Sequence, residues 1–288
     1  MRTKAVAVSA MMALAMLTTH AQRGQNPQGG RGAQEGGRGA AQGGAADIIF
    51  RAQNALGVLR GLDQVDSVGR IEYQGTGTMT LRGQSYKLTD YHASINYAMQ
   101  GMRVDLKREG AAPQRVIQVV SAGFAWNEAE PGMNATPMPA AVTERLIQLW
   151  STPMGALRAA ALAGPNVQLT TEGGLNVLTF PLPAPLTNAT LRVTLNSQEV
   201  TMATGQKRRI NNLVDRVEAR VGGSETVTTY SDYGDWNEKD YKADVLLPKR
   251  MIQKQGDGAL LDVTLTVTNT YNPYVITPVP ENVGRSAR

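Results

Sequence analysis

Long stretches of the chain alternate apolar and polar residues with a period of two. The clearest runs from Leu261 to Thr268, where leucine and valine alternate with aspartate and threonine. Successive side chains of a β-strand point to opposite faces of a sheet, so this pattern predicts strands with one buried face and one solvent-exposed face. Strands of the same kind are predicted at 70–73, 86–96, 103–107, 116–120, 123–126, 191–195 and 216–221. Half-buried strands are typical of an antiparallel sheet.

A helix is predicted before the first of these strands. Between Ile48 and Leu62 the apolar residues recur at spacings of three and four, which places them on one face of an α-helix. Asp47 is positioned to cap the start of this helix, and Gly61 is positioned to end it.

Two further helices are predicted in the middle of the chain. Apolar stripes at helical spacing cover residues 142–150 and 154–162. Thr136-Pro137 and Thr152-Pro153 each place a capping hydroxyl beside a proline, which is typical of a helix start. Gly164 follows the second stripe and is suited to end it.

The order of these elements predicts the fold class. Strands and helices do not alternate along the chain, and there is no glycine-rich phosphate loop, so a parallel nucleotide-binding sheet is excluded. We expect one α+β domain built on a large, strongly curved antiparallel sheet. This sheet would be an incomplete β-barrel, with the helices packed on its concave face.

Three regions are predicted along the 288 residues. Residues 1–21 are typical of a signal peptide, because Arg2 and Lys4 precede an apolar stretch too short to span a membrane. Residues 22–46 are rich in Gly, Gln and Arg and contain no large apolar residue, which predicts a disordered tether. Residues 47–288 form the folded domain. We therefore expect export across the inner membrane to the periplasm, as a soluble protein with no cysteine for a lipid anchor.

The basic character of the chain comes mainly from the predicted leader and tether. The formal net charge is +5, but the first 46 residues carry five basic side chains against one acidic one. The remainder is close to neutral, so no nucleic-acid partner is predicted. The basic tether leaves open a transient contact with an anionic membrane surface.

Composition excludes several kinds of site. There is no cysteine and there are only two histidines, so we predict no disulfide, no thiolate metal site, no cofactor and no catalytic residue. The isolated His92 lacks metal-binding neighbours. The acidic residues between Asp232 and Asp244 lack the spacing of a calcium loop, and a solvated loop is predicted instead. Paired carboxylates can hydrolyse glycosides without histidine, but no such pair is fixed by the sequence, and the chain is predicted not to be an enzyme.

Several segments resemble one family of exported bacterial proteins. They are residues 62–68, Trp150-Ser151-Thr152-Pro153, Tyr230-Ser231-Asp232-Tyr233, residues 247–253 and residues 261–267. Together they are similar to the outer-membrane lipoprotein-sorting (LolA/LolB-like) superfamily, over most of residues 47–288. The resemblance implies a curved, incomplete barrel, closed by helices around a cavity for acyl chains. No position corresponds to the cavity arginine of that family, so the resemblance assigns no cargo-binding residue.

We therefore predict a non-catalytic periplasmic or cell-envelope protein that binds lipid or an acylated partner in an apolar cavity. The expected lining is Leu146, Leu149, Trp150, Met154, Val217, Met251, Val263 and Leu265. The alternative is a structural or protein-interaction module of the envelope, with a filled core and no ligand. Cavity volume separates the two, because ligand sites need about 300 Å³ or more and a core at native density leaves only voids of about the size of a water molecule.

Overall fold

The computed structural model describes residues 44–60, 65–66, 68–236, 244–256, 258–270, 272 and 274–285. The predicted signal peptide and all but the last three residues of the predicted tether lie outside the described residues, as does much of the acidic stretch before Asp244. The described residues contain four α-helices: α1 (Ala45–Ala55), α2 (Val142–Ser151), α3 (Pro153–Ala163) and α4 (Glu281–Arg285).

The same residues contain fifteen β-strands. They are β1 (Leu59–Arg60), β2 (Val65–Asp66), β3 (Arg70–Leu81), β4 (Gln84–Asn96), β5 (Gly101–Arg108), β6 (Arg115–Ser121), β7 (Phe124–Glu128), β8 (Thr136–Pro137), β9 (Gln168–Glu172), β10 (Leu175–Pro181), β11 (Ala189–Thr201), β12 (Lys207–Val221), β13 (Ser224–Asp235), β14 (Leu246–Gln255) and β15 (Gly258–Asn269).

Thirteen of the described strands form one sheet, in the order β8-β7-β6-β5-β4-β3-β15-β14-β13-β12-β11-β10-β9. Apart from one parallel bridge between Thr201 and Gly234, all pairings are antiparallel. Each half is a meander, β3 to β8 and β9 to β15, in which every strand pairs with the next along the chain. The two meanders join where β15 pairs with β3. Helices α2 and α3 connect the edge strands β8 and β9, which do not pair with each other.

The predicted fold class is confirmed: the sheet is an incomplete barrel and the protein is α+β. The alternating runs form strands because the pattern matches the pleat of the sheet. Along β15, Leu261, Val263 and Leu265 are buried, whereas Thr264 and Thr266 are exposed. The two central helical stripes form α2 and α3, and Thr152 caps α3 by accepting a hydrogen bond from the Gly155 N–H at 3.2 Å.

The predicted end of the first helix is wrong, because α1 stops at Ala55 and does not continue to Gly61. Gly57 turns the chain with φ +75°, a conformation that glycine adopts without strain. Its backbone lies so close to the Asp244 carbonyl that an added Cβ would be 1.8 Å from that oxygen. The predicted cap is also wrong, because Gly44 occupies the cap position and Asp47 lies in the first turn.

Thr136-Pro137 does not begin a helix as predicted. These residues form the short edge strand β8, paired with Trp126 and Asn127 of β7. Proline is tolerated there because an edge strand does not need every N–H for the ladder. Helix α2 begins at Val142 after a short 3₁₀ turn.

The main core lies between the concave face of the sheet and helices α1, α2 and α3. Helices and strands both contribute large side chains to it, including Ile48, Leu146, Leu149, Trp150, Leu157, Tyr91, Phe180 and Val217. A smaller cluster of Ile117, Val119, Trp126 and Val283 lies on the opposite face of β6, because its residues alternate with Gln118 and Val120. Val283 belongs to α4, so the C-terminal segment covers part of the convex face.

Strands β3 and β15 approach each other very closely at the centre of the sheet. A Cβ on Gly77 would be 1.9 Å from the Asp262 carbonyl oxygen, so this position admits no side chain without a shift of backbone. The register between β3 and its other neighbour, β4, also shifts between Gly75 and Gly77. Such irregularities increase the local twist of a sheet and contribute to its curvature.

Candidate functional site

A groove of about 530 Å³ lies between helix α2 and the concave face of the sheet. It is located at the end of the sheet that carries the β3–β4, β12–β13 and β14–β15 turns. Strands β3 to β6 and β12 to β15 provide its floor and walls, and the first turns of α2 provide its roof. The volume falls within the range of small-molecule sites.

The lining of the groove is mixed. The apolar side chains are Met79, Leu81, Val104, Leu106, Ala140, Ile147, Val221, Leu260 and Leu261, together with the ring of Tyr91. The uncharged polar side chains are Thr80, Gln118, Thr143, Gln148, Ser224, Thr226, Gln253 and Gln255. Glu144 is the charged residue among those that line it. The sequence predicted an apolar cavity, whereas nearly half of this lining is polar.

The eight residues predicted to line a cavity are brought together by the fold, but in the core. All are buried: Leu146, Leu149, Trp150, Met154, Val217, Met251, Val263 and Leu265. We call this set the packed centre. None of the eight lines the groove. Met251 borders a buried void of about 10 Å³, which has room for about one water molecule.

Hydrogen bonds tie the helices to the sheet at the packed centre. The Tyr230 hydroxyl donates to the Ser151 carbonyl at 2.6 Å, and the hydroxyls of Tyr97 and Thr152 are 2.9 Å apart. Arg158 of α3 donates to the Val68 carbonyl at 2.7 Å, and its guanidinium lies 4.3 Å from the centre of the Tyr97 ring. These contacts hold α2 and α3 against the strands.

Arg145 of α2 is buried between that helix and the sheet, beside the groove. Its guanidinium donates to the carbonyls of Val119 and Trp126, at 3.0 and 2.5 Å, and to the Asn127 side chain at 2.6 Å. Burial lowers the pKa of Arg145, and the nearby Glu144 opposes that effect. Because these acceptors lie on β6 and β7, the contact fixes α2 over the sheet edge and sets the position of the roof.

The inner end of the groove is marked by four residues that also border the small void: Tyr91, Gln148, Gln253 and Leu261. The Tyr91 side chain is almost fully buried and stacks on Tyr73 with ring centres 6.2 Å apart. Its hydroxyl makes no hydrogen bond of normal geometry within the protein, although Tyr73 and Gln148 lie beside it. Burial raises the pKa of Tyr91 well above its ordinary range, so the hydroxyl stays protonated and can donate.

Several charged side chains elsewhere on the sheet form ion pairs with each other. The carboxylate of Glu218 is buried and meets Arg192 at 2.7 Å and Arg216 at 2.9 Å. Surface depressions of about 410 and 430 Å³ contain the Arg250–Asp262 pair in one case, and Lys107 and Arg115, both paired with aspartates, in the other. Within the part of the chain that the structure describes, no group of three acidic or histidine side chains could hold a metal ion.

Sequence reasoning missed the groove residues for a definite reason. The prediction followed the apolar stripes, and these stripes mark what the fold buries most completely. The groove is lined by positions such as Gln118, Gln148 and Gln253, which look like ordinary solvent-facing residues in the sequence. A glutamine beside the apolar stripe of α2, at Gln148, was the available signal.

The described residues therefore form a helix-filled half-barrel with an open groove at one end. None of the helices in this part of the chain is long and apolar enough to cross a membrane. No family model matches the chain, and no curated protein sequence matches it.

Comparison with solved structures finds similar chains. A domain described as an outer membrane lipoprotein-sorting protein, from Vibrio parahaemolyticus, is 11% identical, with a TM-score of 0.43 over 84% of this chain and 98% of its own. A LolA superfamily protein from Nitrosomonas europaea is 9% identical, with a TM-score of 0.41 over 83% and 96%. LprF from Mycobacterium bovis is 11% identical, with a TM-score of 0.33 over 82% and 97%. The first two of these structures carry the name of the superfamily that the sequence resembles, and all three TM-scores are below 0.5.

Proposed function

We propose that this domain is a non-catalytic binding protein of the cell envelope, which holds one acyl chain of a lipid or of an acylated protein in the groove. The observation that carries the proposal is the groove itself. Its volume of about 530 Å³ exceeds the threshold of about 300 Å³ that separates a ligand site from a filled core.

The apolar part of the lining supports a chain-like ligand. Val104, Leu106 and Leu261 of the sheet face Ile147 of α2 across the groove, and all four are buried. Each methylene that moves from water into such surroundings contributes about 0.8 kcal/mol. A chain of a dozen carbons that buries half of its methylenes would thus gain about 5 kcal/mol before the cost of ordering is subtracted.

The predicted leader supports the envelope as the location. A basic start, a short apolar stretch and small residues near Ala21 are typical of a signal peptide. Export would bring the folded domain into the compartment where lipids and acylated proteins are carried between membranes. The mass of the mature protein from its native envelope tests this part, and a mass that retains residues 1–21 would contradict it.

Displacement of a fluorescent fatty alcohol from the purified mature protein tests the binding proposal. We expect the affinity of competing saturated alcohols to rise with chain length and to depend little on salt, because burial of methylenes drives binding. Thr226→Trp, which places a large ring in the groove, should abolish binding. Thr229→Trp makes the same change at an alternate position of β13, on its outward side, and should leave binding intact. Equal binding by both variants would show that the probe does not enter the groove.

A second candidate, the structural or interaction module with no ligand, is favoured by the packed centre. The void between α2 and the sheet there measures only about 10 Å³, and the space beneath Arg145 and Gln148 has no room for a water molecule. Recovery of ligand-free protein from the envelope, together with failure to bind either a fluorescent fatty acid or a fluorescent fatty alcohol, would support this candidate over the first.

A further inference from the structure

The inner end of the groove contains a hydrogen-bond donor that the protein itself does not satisfy. The Tyr91 hydroxyl belongs to a side chain that is about 1% exposed, and it has no hydrogen-bond partner of normal geometry within the protein. Leaving a buried polar group unpaired is costly, and such groups are rare in folded proteins. This donor borders the inner end of the groove but is shielded from water, and it would be satisfied by a bound group that reaches it past Gln148.

The neighbours of this hydroxyl are polar but uncharged. Gln148 of α2 and Gln253 of β14 line both the groove and the small void beside Tyr91. The void is also bordered by Ser151, Thr152 and Thr228. Every one of these side chains is neutral at any pH near 7. An ionised group placed here would lose its hydration without gaining a counter-ion, which is strongly unfavourable.

The mouth of the groove carries apolar side chains that are partly open to solvent. Leu81, at the β3–β4 turn, is 42% exposed, and Met79, Val221 and Leu260 lie close to the turns at the same end. These apolar side chains share the opening with Thr80, Ser224 and Gln255, whereas the inner end is the place where an unpaired donor is buried. Glu144 adds a negative charge to the lining, which disfavours an anionic ligand further.

We infer that the groove binds a neutral amphiphile with its oxygen-bearing group inward, where Tyr91 donates to that oxygen and Gln148 and Gln253 flank it. The chain of the ligand would then run outward along Val104, Leu106 and Ile147 towards Leu81. The ligand class is an uncharged long-chain alcohol, ester or amide. This inference rests on the proposed function, because it assigns a direction and a chemical class to a ligand of the same groove.

Competition with three probes of equal chain length tests the inference. Dodecanol, dodecanoate and dodecylammonium are neutral, anionic and cationic at pH 7, and each is used to displace a fluorescent fatty alcohol, which is itself uncharged. We expect dodecanol to bind at least tenfold more tightly than either ion. Equal affinities would overturn the inference, because a chain that enters tail-first leaves its head in water, where its charge matters little.

The variant Tyr91→Phe removes only the hydroxyl. We expect it to weaken dodecanol binding about 3- to 10-fold, the usual effect of one hydrogen bond, and to leave the midpoint of urea unfolding unchanged or raised. Tyr86→Phe is the matched control on the same strand, since the Tyr86 hydroxyl donates to Gln84 and lies outside the groove. A lower unfolding midpoint for Tyr91→Phe would show that the hydroxyl serves the protein alone, and would overturn the inference.

The two proposals fail in different ways. If none of the three probes competes, the proposed function itself is wrong. If all three compete equally, and Tyr91→Phe binds as tightly as the wild type, the groove still binds chains but does not recognise the polar group of the ligand. If dodecanol is preferred and Tyr91→Phe abolishes that preference, both proposals are supported.

Discussion

The packed centre and the groove lie under the same helix and on the same sheet, yet one is filled and the other is open. At the packed centre, Leu149 and Trp150 of α2 meet Val217 and Val263 of the sheet with almost no residual space. At the groove, the same helix presents Thr143 and Glu144, which are exposed and leave the concave face uncovered. The last turn of α2 therefore completes the core, whereas its first turn forms a roof over a space.

This difference shows that the sheet alone does not decide whether a half-barrel holds a ligand. The concave face is continuous between the two regions. Leu261 and Val263 are two residues apart on β15, so they point to the same face, and both are buried. What changes is the covering element. At its last turn α2 presents Leu149 and Trp150 and the interior closes, whereas at its first turn it presents Thr143 and Glu144 and the interior remains accessible.

Trp150→Ala should cause the largest loss of stability among the variants that test the difference between the packed centre and the groove. The substitution leaves a cavity at the packed centre, and we expect the free energy of unfolding to fall by about 3–5 kcal/mol. Leu81→Ala at the mouth of the groove should cost less than about 0.5 kcal/mol, because that side chain is largely in contact with water. Urea unfolding followed by circular dichroism measures both, and similar losses for the two variants would contradict the distinction between the regions.

Gly77→Ala tests the close approach of β3 and β15 at the centre of the sheet. An added methyl group would meet the Asp262 carbonyl at 1.9 Å, so the backbone must shift. We expect a loss of about 1–3 kcal/mol or more in the free energy of unfolding. Gly69→Ala is the control, because a Cβ there has no atom within 4 Å. Thermal unfolding that does not distinguish the two variants would show that the close approach is not required.

Arg145→Met removes the link between the roof of the groove and the sheet. The Val119 and Trp126 carbonyls lose their donor, and we expect a loss of about 1–3 kcal/mol. The groove should also widen, and its selectivity for chain length should decrease. Arg208→Met, at an exposed arginine paired with Asp244, should change stability by less than about 0.5 kcal/mol. If chain-length selectivity is unchanged in Arg145→Met, this contact does not set the position of the roof.

Acid should produce the smallest effect, through Glu128 of β7. Burial alone raises the pKa of this carboxyl group, but hydrogen bonds from Arg103, the Gly132 N–H and Trp126 lower the pKa below its ordinary value overall. A lowered pKa in the folded state means that stability is present above the ordinary value of about 4.3 and is lost as the pH falls through the folded value. We expect the unfolding temperature to fall below about pH 4, and to fall less steeply in Glu128→Gln.

The control for the acid experiment is Glu109→Gln, which changes an exposed carboxylate paired with Lys87. Its unfolding temperature should follow the wild type at every pH. A wild-type curve that is flat down to pH 3 would show that Glu128 does not link β7 to β5 with the assumed strength.

The sequence was sufficient for half-buried strands because alternation such as that along 261–265 matches the pleat of a sheet, although a register shift between Leu265 and Val267 leaves Val267 exposed against the prediction. It was not sufficient for the end of α1, where the close approach of Gly57 to Asp244 brings together residues far apart in the chain. The groove could not be predicted either, because its polar lining at Gln118 and Gln253 has the composition of a solvent-facing surface. Only the tertiary arrangement turns these positions towards a shared space.

The pairing of β3 with β15 also determines the order in which the domain can be assembled. The central pair of the sheet joins Gly77 to Val263, residues separated by most of the domain, whereas the edge strands β8 and β9 are connected by a single helical hairpin. Closing so long a loop carries an entropic cost that local pairings do not repay in advance, and such topologies fold slowly. Each meander can form from local hairpins as the chain emerges, but the sheet becomes continuous only after β15 has been synthesised. The centre of the sheet is therefore the last part of the domain that can be completed.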